Sequence, residues 1–230
     1  MGISRLLFPG RDDRVHGCYC NAGAVGHGSS RCVRRPAILL LALAITYAFP
    51  ALAQTREWKI DPNHSTAQFT VRHMGVSNVT GTFNKVSGTA QMDEKDLTKS
   101  AIDAAIDVTS VDTRVEARDK DLRSDHFFDV AKYPTMEFKS KRVEKQGDDY
   151  KLIGDLTMHG VSREVALTME TPSAIVTDPY GNLRQGFSAN TVINRKDWGM
   201  TYNNLLQSGE AVVGDKVKIQ VDVELIRKKG

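Results

Sequence analysis

The feature that most constrains this chain is a strict two-residue rhythm of apolar and polar side chains. The last long segment shows it best: Val217, Ile219, Val221, Val223 and Leu225 alternate with Lys216, Lys218, Gln220, Asp222 and Glu224. Successive strand side chains point to opposite faces, so this segment is a strand with one side buried and the other wet. The rhythm recurs through Ala67, Phe69 and Val71, and through Ile102, Ala104, Ile106 and Val108. Leu152, Gly154, Leu156 and Met158 run up to His159-Gly160, and Val161, Arg163, Val165, Leu167 and Met169 run away from it. Gly160 can take a positive φ at low cost, so His159-Gly160 is a hairpin turn with His159 exposed at its tip. Asp178-Pro-Tyr-Gly-Asn182 is a second turn. It leads into Gly186–Asn194, where Phe187, Ala189, Thr191 and Ile193 share a face. Eight to ten such strands at hairpin spacing predict a sandwich or a barrel, because strands without covering helices must pair or close their edges.

One interruption stands out. Arg114–Leu122 is charged and free of turn residues, and predicts a short helix; Asp125–Val130 predicts a further helical turn. Tyr133-Pro134 ends the excursion, and Thr135–Lys141 resumes as a strand. A long, partly helical connection of this kind covers one end of a barrel. Asp93–Asp96 and Glu144–Asp149 read as solvated charged loops.

The N-terminal 53 residues follow other rules. Arg31, Arg34 and Arg35 precede the apolar run Ala37–Ile45, which relaxes into Ala51-Leu52-Ala53. A basic flank, a short apolar core and an A-x-A site make a secretory signal peptide, with cleavage expected after Ala53. The run is shorter than the roughly 20 residues of a membrane span, so no stable membrane insertion is expected after cleavage. The first 32 residues are unusual for a signal peptide, and a start of translation near Val33 would give a conventional one. Arg34-Arg35 also raises twin-arginine export as a weaker alternative. The expected mature domain, 54–230, has 25 basic and 26 acidic residues, a net charge of −1, and no cysteine, since Cys18, Cys20 and Cys32 all precede it. The basicity of the whole chain therefore belongs to the leader, which leaves no electrostatic case for nucleic acid. Disulfides and thiol chemistry are excluded from this domain.

Catalytic signatures are missing: no G-x-S-x-G, P-loop, G-x-G-x-x-G or H-E-x-x-H occurs. None of His64, His73, His126 and His159 has a partner at recognised zinc-ligand spacing. No catalytic residue or metal ligand is therefore assigned. His73 continues the inward phase of Phe69 and Val71, where a hydrogen-bonded core histidine and a ligand contact fit equally well. Phe127, Phe128, Tyr133, Met136 and Phe138 crowd the helical excursion and the strand after it. A barrel interior is either filled or hollow, and alternation is the same in both.

Several segments resemble the YceI-like family of bacterial polyisoprenoid-binding, lipocalin-like proteins. They are Trp58-Lys-Ile-Asp-Pro-Asn-His-Ser65, Phe69-x-Val-x-His73-x-Gly-x-Ser-x-Val-x-Gly81-x-Phe83, Arg118-Asp-x-x-Leu-Arg-Ser124, Phe127-Phe-Asp-Val130, Tyr133-Pro134 with Phe138, Gly154-x-Leu-Thr-Met-His-Gly-Val161, Asn194-Arg-Lys-Asp-Trp-Gly199 and Val213-Gly-Asp-x-Val217. They occur in the family's order across residues 57–227. Asp121 departs from the pattern, in which His is common before the Leu-Arg-Ser triplet. The resemblance implies an all-β fold: an extended antiparallel eight-stranded, lipocalin-like barrel with a short helical insertion. It also implies export to the periplasm, a role linked to stress tolerance, and a long apolar tunnel holding an isoprenoid or similar amphiphile, with no other cofactor.

The expected tunnel wall is Phe69, Val71, Phe83, Ile102, Ile106, Phe128, Met136, Phe138, Leu156, Phe187 and Ile193. His73, Arg118, His126 and Asn194 are the candidates for its polar end. Twelve residues, Lys216–Arg227, extend roughly 40 Å along the strand, or roughly 30 Å along a barrel axis at the usual tilt. That length suits a lipid of some thirty to forty carbons. At about 0.8 kcal/mol per buried CH₂, less ordering and association costs, such a tail binds without a strong head-group site. Other readings are a quinone presented to a membrane cytochrome, an enzyme acting on the bound lipid, and a filled barrel serving only as an interaction module. Exposed barrel edges would suit a homodimer.

Overall fold

The structure is a computed structural model and describes residues 55–229. The expected leader, its cleavage site and the alternative start lie outside the described residues. Twelve strands follow in order: β1 (Arg56–Ile60), β2 (Thr66–His73), β3 (Ser77–Phe83), β4 (Val86–Met92), β5 (Ala101–Asp107), β6 (Val111–Asp112), β7 (Thr135–Gln146), β8 (Asp149–Met158), β9 (Val161–Met169), β10 (Val176–Thr177), β11 (Asn182–Asn194) and β12 (Val213–Lys228). Among the described residues one α-helix, α1 (Glu116–Arg123), interrupts them, with three short 3-10 turns.

The eight strands β1, β4, β5, β7, β8, β9, β11 and β12 pair antiparallel in a closed ring, with β1 joining β12 to seal it. Closure removes the exposed edges that a polar–apolar strand would otherwise leave. β12 is long enough to be partnered twice on one side. Its second half meets β1 at Leu225↔Ile60, and its first half meets β2 from Val213↔His73 to Asp222↔Thr66. β1 and β2 therefore act as one long stave broken at 61–65. β3, paired to β2, and β4, paired to β1, form the next stave in the same manner.

The break at 61–65 is fastened by its own sequence. The Asp61 amide donates to Glu224 O (2.8 Å), and Ser65 Oγ accepts from the Glu224 amide (3.0 Å), which stitches the kink to β12. Outside the barrel, Arg184 donates to Asp61, Asp178 and Glu224 and so ties the kink to β11, β12 and the turn before β11. That turn forms as expected: Asp178 accepts from the amides of Tyr180 and Asn182.

The helical excursion is shorter than expected. α1 covers Glu116–Arg123, whereas 125–130 makes hydrogen-bonded turns rather than helix. Ser124 O takes the amides of Phe127 and Asp129, three and five residues on, in place of the four-residue spacing of an α-helix, and Asp129 turns to φ 46°. The supposed loop at Glu144–Asp149 is the tip of the β7–β8 hairpin, with Gly147 at φ 64° and strand pairing up to Gln146↔Asp149. Asp93 is buried, because its carboxylate caps the amides of Lys95 and Asp96. His159-Gly160 is a two-residue hairpin turn with φ 51° and 74°, as expected. His159 is half-buried rather than exposed: its ring packs on Tyr133 and its Nδ1 lies 3.1 Å from Trp198 O.

Candidate ligand-binding site

The inward side chains of the barrel surround an elongated cavity of about 180 Å³. On β12 its wall runs through Val213, Val217, Ile219, Val221 and Val223, then stops before Leu225. Ten residue steps along the strand are roughly 33 Å, or roughly 25 Å along the axis at a tilt of about 40°. The hollow is shorter than the whole-strand expectation because one end is packed solid. There Trp58, Met92, Met169 and Leu225 are almost fully buried against one another's strands and lie outside the cavity wall. The Arg227 guanidinium sits 4.6 Å over the Trp58 ring and covers this closed end.

All eleven expected wall residues, Phe69, Val71, Phe83, Ile102, Ile106, Phe128, Met136, Phe138, Leu156, Phe187 and Ile193, line this one cavity. Phe69, Phe83 and Phe128 form an aromatic row with ring centroids 5.6 Å apart at each step. Gly81, opposite Phe69 across the strands, makes that row fit: a Cβ there would fall 2.4 Å from the Phe69 ring. Leu122 and Phe127, carried by α1 and the turn after it, also line the cavity.

None of the four expected polar-end residues lines the cavity, and each has another place. His73 is the last residue of β2, half-buried and paired with Val213 at the end of the wall, but is not itself among the lining residues. Arg118 donates through Nε to Thr113 Oγ1 and through Nη2 to Thr113 O, both at 2.8 Å, while buried Asp119 takes the Thr113 amide (2.9 Å). Arg123 reaches back to the carbonyls of Thr109 and Val111. The Arg118–Ser124 motif is therefore a fastening for the helix. His126 is exposed, 2.8 Å from Asp121 and stacked on Tyr202 at 4.0 Å. Asn194 caps the short 3-10 turn Arg195–Trp198 by accepting from the Lys196 amide.

Beside the neutral Gln68 and Thr191, the charged side chain that reaches the wall is Arg195, which sequence reasoning missed. Its signal was present: Phe187, Ala189, Thr191 and Ile193 alternate inward, and Arg195 is the next residue in that phase. Arg195 is 3 % exposed. Its Nη1 donates to Met200 O (2.6 Å) and Tyr202 O (2.9 Å), and its Nε to Gly214 O (3.2 Å). Nη2 lies 3.4 Å from Val213 O and 3.5 Å from Asp215. Burial lowers its pKa from the ordinary guanidinium value, with Asp215 opposing the shift. The guanidinium is saturated by these acceptors and acts as a clasp for the loop 199–212 at this end of the barrel.

Among the described residues, Asp61, His64 and Glu224 bring potential metal-ligand atoms within 4.8 Å of one another. Arg184 already bonds both carboxylates, so the group is a charge network on the outer surface. Burial by itself would raise the Asp61 carboxyl; the hydrogen bonds from His64, Arg184 and the Asn63 amide outweigh it and hold the pKa at about 2.

The matching family model, described as a YceI-like domain, covers residues 58–225. The chain belongs to the YceI-like family. A UPF0312 protein of Pectobacterium atrosepticum is 36 % identical over 194 residues, 84 % of this chain and 97 % of that protein. One from Yersinia pestis is 38 % identical over 151 residues, 65 % of this chain and 78 % of that protein. Among solved structures, the YceI protein of Campylobacter jejuni superposes with a TM-score of 0.58 at 30 % identity, covering 69 % of this chain and 90 % of that one. BcnA of Burkholderia cenocepacia gives 0.60 at 21 % identity, covering 72 % and 98 %. A polyisoprenoid-binding domain of Saccharophagus degradans gives 0.52 at 17 % identity, covering 73 % and 97 %. The last two are similar in fold. No helix among the described residues is long and apolar enough to cross a membrane.

Proposed function

We propose that this YceI-like barrel is a binding protein for a long-chain isoprenoid or similar amphiphilic lipid. It would be exported to the periplasm and would carry or sequester the lipid there, in support of stress tolerance. The observation that carries this reading is the cavity: narrow, elongated, apolar along its wall and blind at the Trp58 end. A blind apolar bore selects a chain over a compact guest, and it needs no charged anchor, because each buried CH₂ contributes about 0.8 kcal/mol before ordering costs. The tail would lie against Phe69, Phe83 and Phe128, with its polar head toward the Arg195 end. A neighbour of the same fold described as polyisoprenoid-binding is consistent with this chemistry.

Native mass spectrometry of protein purified from its own host, with extraction and identification of bound lipid, tests it. A stoichiometric prenyl lipid is expected. A barrel that is empty on purification and takes up no polyprenol on incubation would overturn the reading.

A further inference from the structure

Three backbone runs lie side by side at the Arg195 end. The Val212 amide donates to Asn204 O (2.9 Å), and Val212 O accepts from the Met74 amide (2.8 Å). This places the tip of the β2–β3 hairpin against the loop 199–212. Both carry apolar side chains into solvent: Val76 is 79 % exposed, Leu205 71 % and Met74 40 %. The cavity wall reaches Val71 and Val213 next to them.

The turn chemistry sharpens the observation. Met74 and Gly75 have φ of 52° and 67°, and the Val76 amide donates to His73 O (3.0 Å), which defines a turn with two left-handed residues. Asn or Asp normally precedes Gly in such a turn, because a larger side chain strains the left-handed conformation. A methionine there gives up backbone stability and places an apolar side chain in water.

We propose that Met74, Val76 and Leu205 form a docking face that inserts into the surface of a phospholipid bilayer, so that lipid passes between membrane and cavity without crossing water. The proposal rests on the lipid-binding reading above. The opposite end is packed solid, so a guest must enter on this side. Protruding tips of a few side chains suit a soft interface. They offer less surface than the roughly 800 Å² per partner of a stable protein interface. The exposed charges nearby, Arg72, Lys196, Lys216, Asp197 and Glu210, are mixed in sign, so docking would be apolar and largely independent of salt.

The test uses the purified protein with neutral phosphatidylcholine vesicles, and fluorescently labelled solanesol as the probe lipid. The native protein is expected to co-float with the vesicles and to speed solanesol transfer between them. Val76→Asp and Leu205→Asp should each weaken co-flotation roughly tenfold or more and slow transfer, with solanesol uptake from detergent unchanged. Met74→Asn should weaken co-flotation while raising the melting temperature, a combination that general damage would not produce. Unchanged co-flotation in all three variants overturns the proposal, as does dependence of transfer on a second protein that needs the same side chains. Failure of solanesol uptake by the native protein instead overturns the lipid-binding reading, since co-flotation is read separately.

Discussion

The two ends of this barrel are built from the same alternating strands and come out differently. On the inward face of β12, Val217, Ile219, Val221 and Val223 are only partly buried because they face a hollow, whereas Leu225 is completely buried. Nothing in the period changes along that face. The difference lies in what the neighbouring strands send inward. At the closed end they supply Trp58, Met92 and Met169, all almost fully buried; along the hollow small residues such as Ala67, Ala104 and Ala189 stand among larger ones such as Phe69, Phe138 and Phe187, and a space is left between them. A barrel of this size can be filled by its own side chains or left with room for a guest, and here one molecule does both.

The largest effect should come from truncations that compare the two regions on one strand. Leu225→Ala removes side-chain volume from a packed site and should cost about 2–5 kcal/mol. Ile219→Ala enlarges a space that already exists and should cost clearly less, because fewer packed neighbours are lost. Urea denaturation of lipid-stripped protein measures both. Equal costs would break the comparison. With the guest bound, the Ile219→Ala penalty should grow while that of Leu225→Ala stays the same.

Enlargement reverses the logic. Val221→Trp points into the hollow and should fill it, with little loss of stability and a large fall in bound lipid per protein. In a packed core the same change would cost about 1–3 kcal/mol through overpacking. A destabilisation of that size, with lipid binding retained, would mean that the space near Val221 is not where the guest lies.

Much of this was legible in the sequence, and the limits have physical causes. Alternation and the family motifs together pointed to the eleven apolar wall residues: a strand's phase fixes its inward set, whereas Phe128 lies in the turns after α1 and has no strand phase. Alternation could not tell hollow from plug, since Ile219 and Leu225 sit in the same phase and differ only in their cross-barrel neighbours. The four residues expected at the polar end fall outside the cavity lining for a related reason. His73 has the inward phase but pairs with Val213 where β12 shifts register, at the end of the strand, and it does not line the cavity. Arg118 and Asn194 belong to motifs that fasten a helix and cap a turn, and their hydrogen bonds become visible only when Thr113 and the Lys196 amide are located beside them. Arg195 was the readable exception: a charge on an inward phase demands partners, and backbone carbonyls supply them.

The smallest expected effect concerns the charge network outside the closed end. Arg184 is held by Asp61, Asp178 and Glu224, and these partners raise its pKa above the ordinary guanidinium value. Burial works to raise the Asp178 carboxyl, but hydrogen bonds from Asn182 and Arg184 and from nearby amides hold its pKa at about 2, as for Asp61. Both are depressed below the unfolded value, so their contribution is fully present above about pH 4 and disappears as pH falls toward about 2. Arg184→Ala leaves three carboxylates facing one another at neutral pH and should lower the melting temperature by a few degrees. Protonation relieves that repulsion and also removes the native ion pairs, so the gap between native protein and variant should narrow steadily between pH 4 and 2. Melting curves across that window measure it. Because the network lies outside the barrel wall, bound lipid should be unaffected at pH 7. A variant that lost its lipid would show that the closed end depends on this outer brace as well as on its packed interior.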